Sequence, residues 1–121
     1  MMNIQDMINE IRKRPDFDRA GMVLVHNGVV RDWSRKGGEK VERLKVSPDR
    51  QKIESIRAEF EQRPGIFRIV VTALEGEFLP GDDLLYIIVA GDVRENVVPT
   101  LAELLNRVKA EAVHKVEVFK E

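Results

Sequence analysis

Two apolar segments joined by a turn constrain the fold of this chain more than any other feature. Residues 66–74 and 84–89 are rich in β-branched and aliphatic side chains, and Pro80-Gly81-Asp82-Asp83 between them is typical of a turn. Apolar runs of this length, bounded by turn residues, favour strands over helices. We therefore expect a pair of central strands that lie next to each other.

Three other segments have the periodicity of amphipathic helices. The first is residues 3–14, where Asn3 is the expected cap, and the last is about residues 96–112, with Pro99 in its first turn. Between them a helix should begin at Ser47-Pro48, because serine is a preferred cap and proline fits the first helical position. Each helix should bury one apolar face.

Three further strands complete the predicted order. Residues 21–30 are dense in valine, with Gly28 as an expected bulge, residues 41–46 alternate, and residues 113–119 close the chain. The first two flank a polar, glycine-bearing segment at 32–40, which predicts a hairpin with a mobile, basic tip. The order of elements favours an α+β fold with helices packed on a mainly antiparallel sheet.

The composition restricts the class of protein. A chain of 121 residues with 43% hydrophobic and 34% charged side chains is expected to form one globular domain over residues 1–121. Its net charge of −1 provides no overall attraction to nucleic acid or to an anionic membrane. No apolar run approaches the roughly 18 residues of a membrane helix, and the first residues do not resemble a signal peptide. We expect a cytoplasmic protein without nucleic-acid or membrane partners.

Cysteine is absent, and the two histidines are far apart in the sequence. Disulfides, thiolate metal ligands and a cysteine nucleophile are thereby excluded, and no metal site is expected. Any sulfur chemistry would have to use the sulfur of a partner.

Basic residues stand at the ends of predicted elements, where functional sites are often built. They are Arg31, Arg94, Lys109 and Lys115. Taken singly, each is more often a surface charge than a ligand, and Glu95 could pair with Arg94. Two aromatic side chains are also ambiguous: a histidine between apolar neighbours in a strand is usually structural, and a tryptophan in a polar loop indicates either an interface or packing. These are His114 and Trp33.

Four segments, taken together, resemble the large subunit of molybdopterin synthase. They keep that family's order and spacing over most of the chain. The segments are residues 21–31, which end in Gly28-Val29-Val30-Arg31; residues 74–82, with Gly76-Glu77 and Gly81-Asp82; residues 87–94, which end in Val93-Arg94 at the place of a His-Arg pair; and His114-Lys115-Val116-Glu117-Val118-Phe119, similar to an aromatic-Lys-Lys-Glu-x-Phe ending.

The resemblance implies an α/β-hammerhead-like fold of the α+β class and a sulfurtransferase activity. Enzymes of that family add two sulfurs to a cyclic pyranopterin phosphate and so form the molybdopterin dithiolene of the molybdenum cofactor. Each sulfur arrives as a thiocarboxylate on the C-terminal Gly-Gly tail of a ubiquitin-like small subunit. Two large subunits form a central homodimer within a heterotetramer, and no cofactor or metal is required.

The resemblance also implies roles for six residues. Lys115 matches the essential lysine and is the expected catalytic residue, with Lys109 in support. The family's second lysine falls at Val108, and Lys109 follows it at about 100° around an ideal helix. Arg31, Arg94 and His114 would bind anionic substrate, and Glu117 would orient the lysine strand.

Three interpretations of function follow. The first is the sulfur-transferring enzyme. The second is a non-catalytic relative that binds a ubiquitin-like partner or a pterin phosphate. The third is an α+β domain whose basic rim is coincidental.

Overall fold

The computed structural model describes residues 3–121, which form an α+β fold of three α-helices and six strands. The helices are α1 (Ile4–Arg12), α2 (Arg50–Glu61) and α3 (Arg94–Glu111). The strands are β1 (Met22–Val29), β2 (Val41–Pro48), β3 (Ile66–Ala73), β4 (Gly76–Phe78), β5 (Asp83–Gly91) and β6 (Val113–Phe119). A short 3-10 turn at Phe17–Arg19 lies between α1 and β1.

The first sheet has the strand order β1-β5-β3, and all its pairs are antiparallel. The central strand, β5, is buried on both faces: Ile87 and Val89 belong to the core formed with α2 and α3, whereas Tyr86 and Ile88 pack with α1. Full burial of one such aliphatic side chain stabilises the fold by about 1.5–3 kcal/mol. The expected pairing of the two apolar segments, β3 and β5, is confirmed.

The second sheet has the order β4-β2-β6 and is also antiparallel. Leu44 and Val46 of β2 join the same core as α2 and α3. The expected hairpin of β1 with β2 is therefore wrong. The expected α+β fold with helices packed on antiparallel strands is confirmed, and the strands form two sheets. Because β5 is the buried central strand, it pairs with β1 along its second edge. Residues 30–40 therefore cross from the first sheet to the second. Strand β4 was not expected, since its three residues lie in a segment of turn character.

The start of α2 also differs from expectation. Ser47 and Pro48 are the last residues of β2, held extended by pairing with His114 and Val113 of β6. The cap is Asp49, whose carboxylate accepts a hydrogen bond of 3.0 Å from the Lys52 backbone N–H. Strand pairing thus overrides the local Ser-Pro signal.

This assignment of the cap predicts a difference between two alanine variants. Asp49→Ala should lower the free energy of unfolding by about 1 kcal/mol, because an N–H of the first turn of α2 loses its acceptor. Ser47→Ala should change it by less than about 0.5 kcal/mol. Urea denaturation of both variants measures this, and a larger loss for the Ser47 variant would contradict the assignment.

The other helix boundaries follow local chemistry. Asn3 caps α1 as expected, because its side chain accepts from the Asp6 backbone N–H at 2.8 Å and the Asp6 carboxylate accepts in return. Helix α3 begins two residues before the expected start, at Arg94, so Pro99 is its sixth residue and not part of its first turn. Among residues 3–121, no helix combines the length and the apolar character needed to cross a membrane.

Candidate functional site

A cavity of about 500 Å³ opens where the end of β1, the last turn of α3 and strand β6 meet. This volume lies in the range of small-molecule sites, roughly 300–1,000 Å³. Its apolar floor includes Leu44 and Leu85. The polar, charged and aromatic side chains that line it are His26, Asn27, Arg31, Trp33, Arg35, Lys36, Lys109, Lys115 and Glu117.

Four of the six predicted site residues line this cavity, and they come from separate elements. Arg31 follows β1 just beyond a register shift between Gly28 and Val29. The extra residue at this shift is Leu84 of β5, so the irregularity occurs at the expected place but on the paired strand. Lys109 lies in the last turn of α3, and Lys115 and Glu117 lie two residues apart on β6, on one face of the strand.

Packing of α3 determines which of two neighbouring residues reaches the cavity. Val108 is fully buried in the core, whereas Lys109 lines the cavity. The position at which the resemblance places the family's second lysine therefore faces the interior. The lysine that this chain does carry is the one that reaches the site.

The other two predicted site residues lie elsewhere. Arg94 is the first residue of α3, and its side chain is 82% exposed and paired with Glu95 at 3.4 Å. Fifteen residues separate it from Lys109 on the same helix, about 22 Å at 1.5 Å per residue. His114 is exposed on β6 and alternates with Lys115, so its side chain leaves the opposite face of the strand.

The cavity concentrates positive charge in a chain whose net charge is only −1. Five of its lining side chains are cationic and one is a carboxylate. Burial against the cavity wall, followed by the charges of Lys109 and Arg31, lowers the pKa of Lys115. Burial also lowers the pKa of Lys109, with the charges of Arg35 and Arg31 adding to the effect. Such mutual repulsion is relieved when an anion binds.

The segment between the two sheets is fixed to the cavity wall. Ser34 is only 2% exposed, and its hydroxyl donates a hydrogen bond of 3.0 Å to Glu117. Its backbone accepts from the Gly38 N–H and donates to the Glu39 carbonyl, both at 2.8 Å. Through Ser34, this segment holds the Glu117 carboxylate at the cavity wall.

Trp33 borders the cavity and remains 49% exposed. The Arg31 guanidinium stacks on its ring, 4.7 Å from the centroid. A cation held over an aromatic face is restrained without losing its charge. The ring therefore orients Arg31 at the cavity mouth.

Sequence reasoning assigned no role to His26, Arg35 or Lys36. The two basic residues lay in the segment expected to be mobile, which gave no indication of where they would point. His26 is a polar side chain in a valine-rich strand, and this interruption of the apolar pattern was the only signal in the sequence.

Comparison with known proteins places this geometry in a family. Among proteins of curated function, none matches the chain significantly. Solved structures do match. The crystal structure of molybdopterin synthase from Staphylococcus aureus has a TM-score of 0.79 at 21% identity, over 100% of this chain and 87% of that one.

Two further structures show the same fold. Molybdopterin cofactor biosynthesis protein E from Burkholderia multivorans matches with a TM-score of 0.77 at 22% identity, over 98% of this chain and 82% of that one. A complex of subunits 1 and 2 of the molybdopterin-converting factor from Helicobacter pylori matches with a TM-score of 0.71 at 14% identity, over 98% and 80% of the two chains.

The sequence itself matches the family model described as MoaE protein, over residues 1–111. That match covers most of the chain, from before α1 to the last residue of α3. The chain belongs to the MoaE protein family.

Proposed function

We propose that this chain is the catalytic large subunit of a molybdopterin synthase, which transfers sulfur from a thiocarboxylated small subunit to a cyclic pyranopterin phosphate. A role in molybdenum cofactor biosynthesis follows from membership of the MoaE family. The observation that supports the proposed sulfur transfer is the cavity in which Arg31, Lys109 and Lys115 converge. The cytoplasm is the expected compartment.

The charges of the cavity suit this chemistry. The substrate phosphate and the thiocarboxylate are both anionic, and an arginine fork binds phosphate through paired N–H donors. Reaction at the tail carbonyl develops negative charge on oxygen, which a positioned ammonium stabilises. In this proposal Arg31 holds phosphate, Lys115 is the general acid or electrostatic stabiliser, and Lys109 assists it. Glu117, held by Ser34, orients the lysine strand.

The proposed partner is a small ubiquitin-like subunit whose C-terminal Gly-Gly tail enters the cavity. The Helicobacter pylori structure, whose two subunits form a complex, supports a partner of this kind. The cavity is open at the surface that Trp33 and Lys36 border, so an extended tail can approach from solvent.

A homodimer of the large subunit is part of the proposal. Arg94 is too distant from the cavity of its own chain to contact a ligand there. If Arg94 binds substrate in this cavity, it does so from a second copy of the chain. His114 also lies outside the lining of this cavity and would need the same arrangement.

The test of the proposal is formation of product from defined components. Purified chain, thiocarboxylated small subunit and cyclic pyranopterin phosphate should together yield dithiolene-containing product. A small subunit lacking its terminal Gly-Gly is the matched control and should yield none. A stable complex with the thiocarboxylated partner that forms no product would instead establish the non-catalytic relative.

Anion binding should depend on pH in a direction fixed by the two lysines. Their pKa values are lowered from 10.5, so they lose their charge at a lower pH than a free lysine does. Affinity for inorganic sulfate, whose charge is constant over this range, should be highest near neutral pH and fall as the pH rises through these lowered values. Calorimetric titration over alkaline pH measures this. Affinity that stays constant until the pH exceeds 10.5 would contradict the described cavity.

A further inference from the structure

Among the described residues, 3–121, His26 is the only histidine that lines the cavity. It lies on β1 opposite Ile87, so its ring projects from the sheet face that packs on α3. Lys109 of α3 and Lys115 of β6 lie close enough for their charges to act on it. An imidazole is thus set among the lysines to which we assign sulfur transfer.

One ring nitrogen is enclosed. Nε2 is buried without a hydrogen-bond partner, 3.2 Å from the point that a Cβ on Gly28 would occupy. A buried polar atom without a hydrogen-bond partner lowers the stability of the fold by about 1–3 kcal/mol. Packing alone therefore gives histidine no advantage over an apolar residue at this position. The other ring nitrogen, Nδ1, is not enclosed without a partner in this way.

Sulfur transfer from a tail requires a second chemical step. When the thiocarboxylate sulfur bonds to a substrate carbon, the carbon–oxygen bond at that carbon breaks and the oxygen leaves with the electron pair. The tail carbonyl then remains joined to the substrate through a thioester. Release of the tail requires water, whose oxygen bonds to the carbonyl carbon while the carbon–sulfur bond breaks. The sulfur leaves with the electron pair as a thiolate on the substrate, and the tail leaves as a carboxylate. One proton of the water must be accepted by a base, and the second passes to solvent.

We infer that His26 is the general base of this hydrolysis, accepting the first proton from the water at Nδ1 and later returning it to solvent. The inference rests on the proposed function. The lysines that surround His26 stabilise the oxyanion of the same step, so base and electrostatic stabiliser face one carbonyl.

The surrounding charges keep the base in its active form. Burial, followed by the charges of Lys109 and Lys115, lowers the pKa of His26 from 6.5. The imidazole is therefore neutral at physiological pH and able to accept a proton. The charged groups that line the cavity with it are Arg31 after β1, Arg35 and Lys36 from the crossing segment, Lys109 from α3, and Lys115 and Glu117 from β6.

The test is a single-turnover reaction of the intact complex with His26→Gln and His26→Phe, followed by intact mass measurement of the small subunit. In both variants tail release should slow by about 10²–10⁴-fold, the usual contribution of a general base. The small subunit should then accumulate with the substrate attached to its tail. With wild type the release rate should rise with pH through the lowered pKa of His26 and then level off, and the variants should lack this rise.

The outcomes separate the two claims. Tail release at the wild-type rate in His26→Gln, without the attached species, would overturn the role of His26 and leave sulfur transfer standing. Full recovery in His26→Phe would also overturn it, because a phenyl ring fills space but accepts no proton. A wild-type protein that forms no product at all would overturn the proposed function and this inference with it.

Discussion

Replacing Lys115 by alanine should reduce product formation in a single turnover by about 10²–10³-fold, the usual cost of removing one group that stabilises an oxyanion. The free energy of unfolding should change by less than about 0.5 kcal/mol. The reason is that burial, followed by the charges of Lys109 and Arg31, lowers the pKa of Lys115, so its charge does not stabilise the fold. The rate of dithiolene formation and a urea denaturation curve measure the two effects.

Lys13→Ala is the matched control. Lys13 lies after α1, its side chain is 72% exposed and paired with Glu10, and it is not part of the cavity lining. This variant should keep wild-type activity and stability. Loss of several kcal/mol of stability in Lys115→Ala would show a structural lysine, and unchanged activity would exclude it as the catalytic residue.

Placing a lysine at position 108 should lower the free energy of unfolding by about 3–5 kcal/mol, the cost of a buried charge without a partner. Val108 is 0% exposed and belongs to the core between α3 and the sheets. Val108→Lys therefore should not create a second cavity lysine, even though this position matches a lysine in the family. Urea denaturation measures the loss.

Lys109→Val is the matched control for position 108. It removes a charge that already lies at the cavity and should leave stability within about 0.5 kcal/mol of wild type. A stable Val108→Lys protein with raised affinity for pyrophosphate would contradict the described packing, because it would require α3 to present a different face.

Signals within each segment predicted the helices and strands. Pairing between distant segments determined the features that those local signals could not predict. The Asn3 cap, the turn before β5 and the apolar face of α3 each depend on neighbouring residues, and each is confirmed. The strands that pair with β1 and β2 depend on which strand is buried on both of its faces. That burial is a property of the assembled core. The predicted hairpin failed for that reason, and so did the cap at Ser47, because β6 extends β2 past it.

The site was predictable to a similar degree. Arg31, Lys109, Lys115 and Glu117 reach one cavity because strand ends and a helix terminus meet there. The same reasoning from element ends included Arg94, which stands at the wrong end of α3 for this cavity. His26 was missed because a histidine within a strand is usually structural, and only the folded arrangement shows that a cavity opens beside it.

The most direct test of the central claim is a single turnover with a small subunit whose thiocarboxylate carries heavy sulfur. We expect that the dithiolene of the product contains the heavy isotope and that the small subunit is recovered with an ordinary carboxylate. Product without the label, or a small subunit that retains its labelled thiocarboxylate in a stable complex with this chain, would contradict sulfur transfer.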